Sequence, residues 1–318
     1  MTTSLLSPQL ADAMVRVTEK AAIAAEALVG CGDEKAADAA AVNAMRAAFN
    51  TVDFKGRVVI GEGERDEAPM LYIGEEVGTG HGPEIDIALD PLEGTTLTAK
   101  AMSNALAVLA IAPRGGLLFA PDTYMDKIAI GPGYDAGIVD LDKSAGENIT
   151  ALAGAKGVPV HMMTACVLDR PRHAEIIDSL RSVEARVRLI SDGDVAGIIN
   201  TTNPETGIDM YVGQGGAPEG VLAAAALKCV GGQMQARLVF RNGDERQRAA
   251  RTGITDFDRK YDLHELASGE TVFCATGVTR GGLVDGVVRT STHIHTDTLI
   301  MSSANQMVRK IQSKYAVK

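Results

Sequence analysis

The stretch Asp86-Ile87-Ala88-Leu89-Asp90-Pro91-Leu92-Glu93-Gly94-Thr95-Thr96 decides the fold. It opens with apolar residues between two aspartates, which reads as a buried strand. Pro91 has no backbone N–H, so the strand is expected to stop there. Asp90, Glu93 and Thr95 then fall within six residues, and Gly94 leaves space for the backbone to approach a ligand. Two carboxylates and a hydroxyl gathered at a strand end suit a hard, oxygen-seeking cation and a phosphorylated ligand. A strand end, a proline turn and a solvated acidic loop account for the same residues. On this stretch alone the two readings are even.

A chain of 318 residues can bury a large core, as one domain or two packed halves. Glycine is abundant, at 34 residues, and aromatics make up only 4%, which fits an α/β enzyme with many tight strand-to-loop turns. With 41 acidic and 31 basic residues the net charge is −10. That argues against a nucleic-acid backbone or an anionic membrane as partner. An anionic substrate would need local cations or metal to offset the field. Cys31, Cys166, Cys229 and Cys274 are widely spaced, so no disulfide framework is expected and a reducing compartment is implied. No window approaches the roughly 20 apolar residues of a membrane span. No basic-then-apolar signal is visible at the N-terminus, so the cytoplasm is the expected location.

Ser7-Pro8 is a helix start, and Leu10, Met14, Val17, Ala21 and Ala25 follow at helical spacing up to Gly30. Ala39 to Phe49 reads as a second helix, with Asp38 in its first turn, where an aspartate commonly just favours the helix dipole. Arg57–Ile60 is a short strand opening into a loop that carries Glu62, Glu64, Asp66 and Glu67. Four acids so close are costly to hold without cations. A solvated loop is one reading; the position directly after an apolar strand favours metal. Residues 104–113, 116–120 and 124–131 read as consecutive strands. Tyr124 can aim its hydroxyl at a ligand, although a core or interface tyrosine is the simpler reading.

From about residue 161 a strand–loop–helix pattern repeats, which predicts a parallel or mixed sheet covered by helices. Ligands in such sheets bind at the loops after the strands. Three consecutive loops carry Arg170 and Arg172, Asp192 and Asp194, and Glu219. The glycine-rich run 213–220 is neither a Walker loop nor a Rossmann fingerprint, yet it can hold phosphate at a helix start. Residues 241–262 read as a charged, solvated excursion. Further strands are expected near 271–275, 286–288 and 293–301. His293 and His295 alternate on the last of these, most simply as a polar strand face.

Taken together these residues resemble a known family. Asp90-Pro91-Leu92-Glu93-Gly94-Thr95 is similar to the motif of the metal-dependent, lithium-sensitive sugar and inositol phosphatases. The runs at 32–46, 59–75, 171–173, 192–196 and 215–220 narrow the likeness to class II fructose-1,6-bisphosphatases. The resemblance covers nearly the whole chain, and the run at 59–75 is the class-specific part.

The resemblance implies a layered αβαβα sugar-phosphatase fold with mixed sheets covered by helices. It implies Mg²⁺ or Mn²⁺ and removal of the 1-phosphate from fructose 1,6-bisphosphate, in gluconeogenesis. The matching metal ligands are Asp38, Glu62, Asp90, Glu93 and Glu219. The matching substrate contacts are Glu93, Gly94 and Thr95; Tyr124; Arg170, Pro171 and Arg172; Asp192, Gly193 and Asp194; and Gly216. Arg170 stands where some relatives have Lys, a fork in place of a point charge. Thr95, Glu62 and Asp90 are the expected catalytic residues, with Thr95 orienting a water. Arg170 and Arg172 are expected on the distal phosphate, and Asp192 and Asp194 on sugar hydroxyls.

Two halves are expected, a metal-binding 1–160 and a substrate-binding 161–318, packed as one catalytic unit. The family suggests a homodimer or homotetramer. The competing readings are sedoheptulose-1,7-bisphosphatase or dual activity, an inositol phosphatase supported only by the short motif, and a sugar-phosphate sensor without catalysis.

Overall fold

The structure is a computed structural model and describes residues 5–63 and 70–317. The expected acidic residues Glu64, Asp66 and Glu67 lie outside the described residues. Ser7 starts α1 (Pro8–Glu26) as expected: its hydroxyl accepts the Leu10 N–H, and Pro8 takes a position whose N–H has no helical partner. Asp33 caps α2 (Glu34–Phe49) by accepting from Ala36 N. The helix therefore begins earlier than its alanine run suggests, and Asp38 sits in its second turn rather than its first. Met14, Val17, Met45 and Phe49 of these helices are buried in one core with Ile87, Leu109 and Ile111 of the sheet.

That sheet starts with β1 (Lys55–Ile60), β2 (Glu76–Val77), β3 (Glu84–Glu93) and β4 (Leu106–Pro113), with α3 (Thr95–Ala99) between β3 and β4. β1 and β3 run parallel, β3 and β4 antiparallel. β3 does not stop at Pro91. Asp90 pairs with Val108 and Glu93 with Leu106, so three steps along β3 oppose two along β4. The extra residue makes a bulge, the place in a ladder where a proline without an N–H is tolerated. Asp90 Oδ1 bridges it by accepting the Leu92 N–H at 2.9 Å. Residues 116–120 form no strand. The chain turns at Gly115 (φ +80°) and makes a single bridge, Leu117 to Ala267.

A second unit follows: β5 (Tyr124–Ile130), α4 (Ala145–Lys156), β6 (Thr164–Leu168), α5 (Ala174–Ser182), β7 (Arg186–Ile190), α6 (Asp194–Ile199), β8 (Met210–Gly216), α7 (Ala217–Val230), β9 (Gln233–Val239), α8 (Gly243–Arg251), β10 (Lys260–Asp262) and α9 (Leu263–Leu266). Its sheet has the order β10-β9-β5-β8-β6-β7. β6 is parallel to β7 and β8 and the other pairs are antiparallel, so the sheet is mixed. Ile128, Ile130 and Val212 share a core with Ile149 and Leu152 of α4 and Leu180 of α5. Two expectations change here. The glycine-rich residues 213–216 are the end of β8, paired to β5, not a loop. Residues 241–262 are largely exposed, as expected, but are not an irregular excursion: Asn242 caps α8, and Glu245 inside it is 1% exposed.

The chain then returns to the first sheet with β11 (Val272–Gly277), β12 (Val288–Arg289), β13 (His293–Ser302) and β14 (Met307–Ala316). β11 enters between β4 and β13, giving the order β12-β13-β11-β4-β3-β1-β2, and β14 pairs with β13. The compact units are thus Met1–Phe119 with Ala267–Lys318, and Ala120–Leu266. The sequence reading cuts at residue 160; the contacts group residues 120–160 with the second unit and the chain from Ala267 with the first. Among the described residues no helix is long and apolar enough to cross a membrane.

Candidate active site

In the first unit, the parallel register of β1 and β3 pairs Ile60 with Ala88. Glu62 and Asp90 each lie two residues further on, Glu62 just past the end of β1 and Asp90 still within β3. Gly61 is held against the Leu71 carbonyl, where a Cβ would collide, and Glu62 N donates to Leu71 O at 3.1 Å. Across the bulge, carboxylate oxygens of Asp90 and Glu93 come within 4.8 Å of one another. Glu93 is only 6% exposed. Two like charges held so close in partly dry surroundings are costly without a cation between them. An all-oxygen donor pair of this kind fits a hard divalent ion. Gly94 adopts φ +89°, which turns the chain from β3 into α3 and makes Thr95 the first residue of that helix. Asp38 is half-buried in the second turn of α2, and burial pushes its carboxyl pKa up. A neighbouring cation would oppose that shift.

The second unit sets one of the two expected arginines, Arg172, together with Arg241, which was not expected, against an aromatic ring. Tyr124 opens β5 and pairs with Gly216 of β8 and Val239 of β9. The Arg172 guanidinium lies 5.0 Å from its ring centre and that of Arg241 4.8 Å. Both are cation–π distances. Arg172 is held by donating to Gln214 O at 2.8 and 3.3 Å. Arg241 is held by Glu245 Oε1 at 2.6 Å, while Glu245 Oε2 accepts from Arg241 N and the Thr123 hydroxyl. Burial pulls the Glu245 carboxyl up, but these hydrogen bonds outweigh it and hold it below the usual range. Arg170 donates to Asp169 O, and Pro171, Arg172 and His173 form a single 3₁₀ turn.

Asp192 Oδ1 accepts the Gly193 N–H, and Gly193 (φ +81°) precedes α6, whose first residue is Asp194. Asp194 is 5% exposed and its Oδ2 is 2.5 Å from Lys127 Nζ. Gly216 is the N-cap of α7, and Glu219 stands in that helix's first turn. The Glu219 carboxylate packs so closely on Gly216 that a Cβ there would overlap it. Sequence reasoning missed Lys127, Gln214, Arg241 and Glu245. The signal for Lys127 was present: it shares a strand face with the apolar Met125 and Ala129, both buried. Arg241 and Glu245 gave no local signal, because a charged run on a helix usually means a solvated face.

An α/β chain of two mixed sheets, carrying carboxylates at strand ends in one unit and arginines around a tyrosine in the other, has the architecture of the metal-dependent sugar phosphatases. Residues 8–315 match the family described as bacterial fructose-1,6-bisphosphatase, glpX-encoded. The chain belongs to that family, whose members are phosphoric monoester hydrolases. It is 45% identical over 315 residues to the D-fructose 1,6-bisphosphatase class 2/sedoheptulose 1,7-bisphosphatase of Prochlorococcus marinus (strain NATL1A), covering 94% of each chain. It is 46% identical over 315 residues to the Synechococcus sp. (strain RCC307) protein of the same name, again covering 94% of each. It is 43% identical over 319 residues to fructose-1,6-bisphosphatase 1 class 2 of Escherichia coli (strain K12), covering 96% of this chain and 94% of the other.

Proposed function

We propose that this chain hydrolyses the 1-phosphate of fructose 1,6-bisphosphate, yielding fructose 6-phosphate and phosphate, as a cytoplasmic step of gluconeogenesis with Mg²⁺ or Mn²⁺. The observation that carries the reading is the close Asp90–Glu93 pair on the β3 bulge, in a chain matched over its length to fructose-1,6-bisphosphatases. Asp38, Glu62, Asp90, Glu93 and Glu219 are the proposed metal ligands. Bound there, divalent ions would neutralise charge on the phosphoryl oxygens and acidify water. Thr95, Glu62 and Asp90 are the proposed catalytic residues, and the Thr95 hydroxyl orients the attacking water. The backbone of Glu93, Gly94 and Thr95 receives the reacting phosphate.

Tyr124, Arg170, Pro171 and Arg172 are proposed to hold the distal phosphate. The flanking of Tyr124 by Arg172 and Arg241 supports an anion subsite there. Asp192, Gly193, Asp194 and Gly216 are proposed to line the sugar. A homodimer or homotetramer and inhibition by lithium follow from the same family reading.

A second reading is activity on sedoheptulose 1,7-bisphosphate, favoured by the double name of two relatives. Phosphate release from both sugars, with EDTA, Mg²⁺ and Mn²⁺ in parallel, tests the proposal. Metal-dependent release from the fructose ester supports it. Release from the heptulose ester alone selects the second reading, and binding without release under any ion leaves a sugar-phosphate sensor.

A further inference from the structure

Lys127 is wholly buried, at 0% exposure. A buried ammonium is expensive unless it is paired and hydrogen-bonded, and an apolar side chain usually serves a core at least as well. Its Nζ has two partners: Asp194 Oδ2 at 2.5 Å and the Gly216 carbonyl at 2.8 Å. The room for this arrangement is made by two glycines. A Cβ at Gly215 would overlap the Asp194 carboxylate and stand 3.0 Å from Nζ. A Cβ at Gly220 would lie 2.5 Å from Met125 Sδ and 3.3 Å from Lys127 Cδ. The two partners are not equivalent parts of the core. Asp194 is the first residue of α6 and Gly216 is the N-cap of α7. One buried cation therefore ties together the starts of two helices, and each start lies in a segment proposed above to meet the sugar.

The geometry points to Lys127 as a positioning residue for substrate binding: it fixes the Asp192–Asp194 turn and the Gly216 cap at one spacing without touching substrate. This rests on the reading that those two segments line the sugar. A lysine retained only for folding would leave the kinetics of the folded enzyme unchanged when replaced. A positioning lysine shifts KM, because misplaced contacts weaken binding of the sugar before they touch the phosphoryl chemistry.

The test is steady-state kinetics and thermal melting of Lys127→Met, Asp194→Asn and the double variant, each beside the wild-type enzyme. Lys127→Met strands the Asp194 charge and lowers Tm; the double variant removes that charge and recovers Tm. Folded Lys127→Met is expected to raise KM for the bisphosphate about tenfold while kcat stays within about threefold. Where Lys127→Met does not fold, the double variant is compared with Asp194→Asn. Its KM should be about threefold higher or more, because the Gly216 carbonyl has then also lost its donor. A folded Lys127→Met with wild-type KM, or a double variant indistinguishable in KM from Asp194→Asn, overturns the assignment. Both arms are read against wild-type turnover, so a failure of the proposed activity shows in the wild type and a failure of the positioning role only in the variants.

Discussion

The backbone N–H of Gln214 donates to His173 Nε2 at 2.9 Å, and His173 Nδ1 faces Leu168 O at 2.7 Å. An acceptor at one nitrogen and a donor at the other fix the neutral imidazole with its proton on Nδ1. The Gln214 carbonyl, at the other end of the same residue, holds Arg172. Burial holds the His173 pKa below its usual value. The native ring therefore stays neutral while the unfolded chain takes up a proton as pH falls below about 6.5. Stability due to this group is complete above that value and declines as pH falls toward the lowered native pKa. His173→Gln should cost roughly 1–3 kcal/mol near pH 7.5 and flatten the acid decline. Urea midpoints of both proteins at about pH 7.5 and about pH 5.5 measure this. Parallel declines would show that His173 does not govern the slope.

Arg241→Ala should raise KM for the bisphosphate about tenfold to hundredfold with little change in kcat, the range for loss of one charged hydrogen bond of roughly 1.5–3 kcal/mol. Glu245→Gln should do less, since it loosens Arg241 without removing it. Initial rates across substrate concentration decide the matter, and an Arg241 effect confined to kcat would place this residue at the reacting phosphate instead.

Glu62→Gln and Asp90→Asn should each leave the fold intact and reduce turnover by more than the roughly 10–100-fold that loss of an outer-sphere partner costs a metal enzyme. Mn²⁺ titration calorimetry should show weakened binding in both. Full turnover in either variant removes that residue from the ligand set.

Thr95→Ala should lower kcat on the order of a hundredfold while KM moves little, because orienting a water matters only in the transition state. The reverse pattern would make Thr95 a binding residue.

Gly216→Ala is sterically specific. Its φ of −63° is open to any residue, so backbone strain is not the difficulty. The added methyl meets the Glu219 carboxylate. The variant should fold, bind Mn²⁺ about tenfold more weakly and lose activity in proportion, with partial recovery at high metal. Unchanged metal affinity would remove Glu219 from the ligand set.

Much of this was legible in the sequence where local chemistry is decisive. Ser7-Pro8 placed the start of α1, and the motif from Asp90 to Thr95 placed a turn with two acids and a hydroxyl. The glycine-rich run at 213–216 misled because glycine signals a loop, whereas here it lets β8 approach the Asp194 and Glu219 carboxylates. β14 was missed because its ten residues, Met307–Ala316, are largely exposed and carry Arg309, Lys310 and Lys314, so no apolar run marks it. Arg241 reaches Tyr124 from far along the chain, and no short pattern encodes that meeting. The family resemblance supplied Asp38 and Tyr124 as site residues, since their own surroundings in sequence favour a helix-dipole acid and a core tyrosine.

The placing of β11 between β4 and β13 has a consequence for synthesis. Leu106 of β4 pairs with Gly277, about 170 residues further along. At roughly 5–20 residues per second, translation leaves β4 without this neighbour for some ten to thirty seconds. During that interval the second unit can close on itself, since its strands are contiguous in the chain, while the first sheet keeps an apolar edge open to water. Nascent chains stalled between residues 120 and 266 should therefore be the species most prone to associate and the ones a chaperone holds longest.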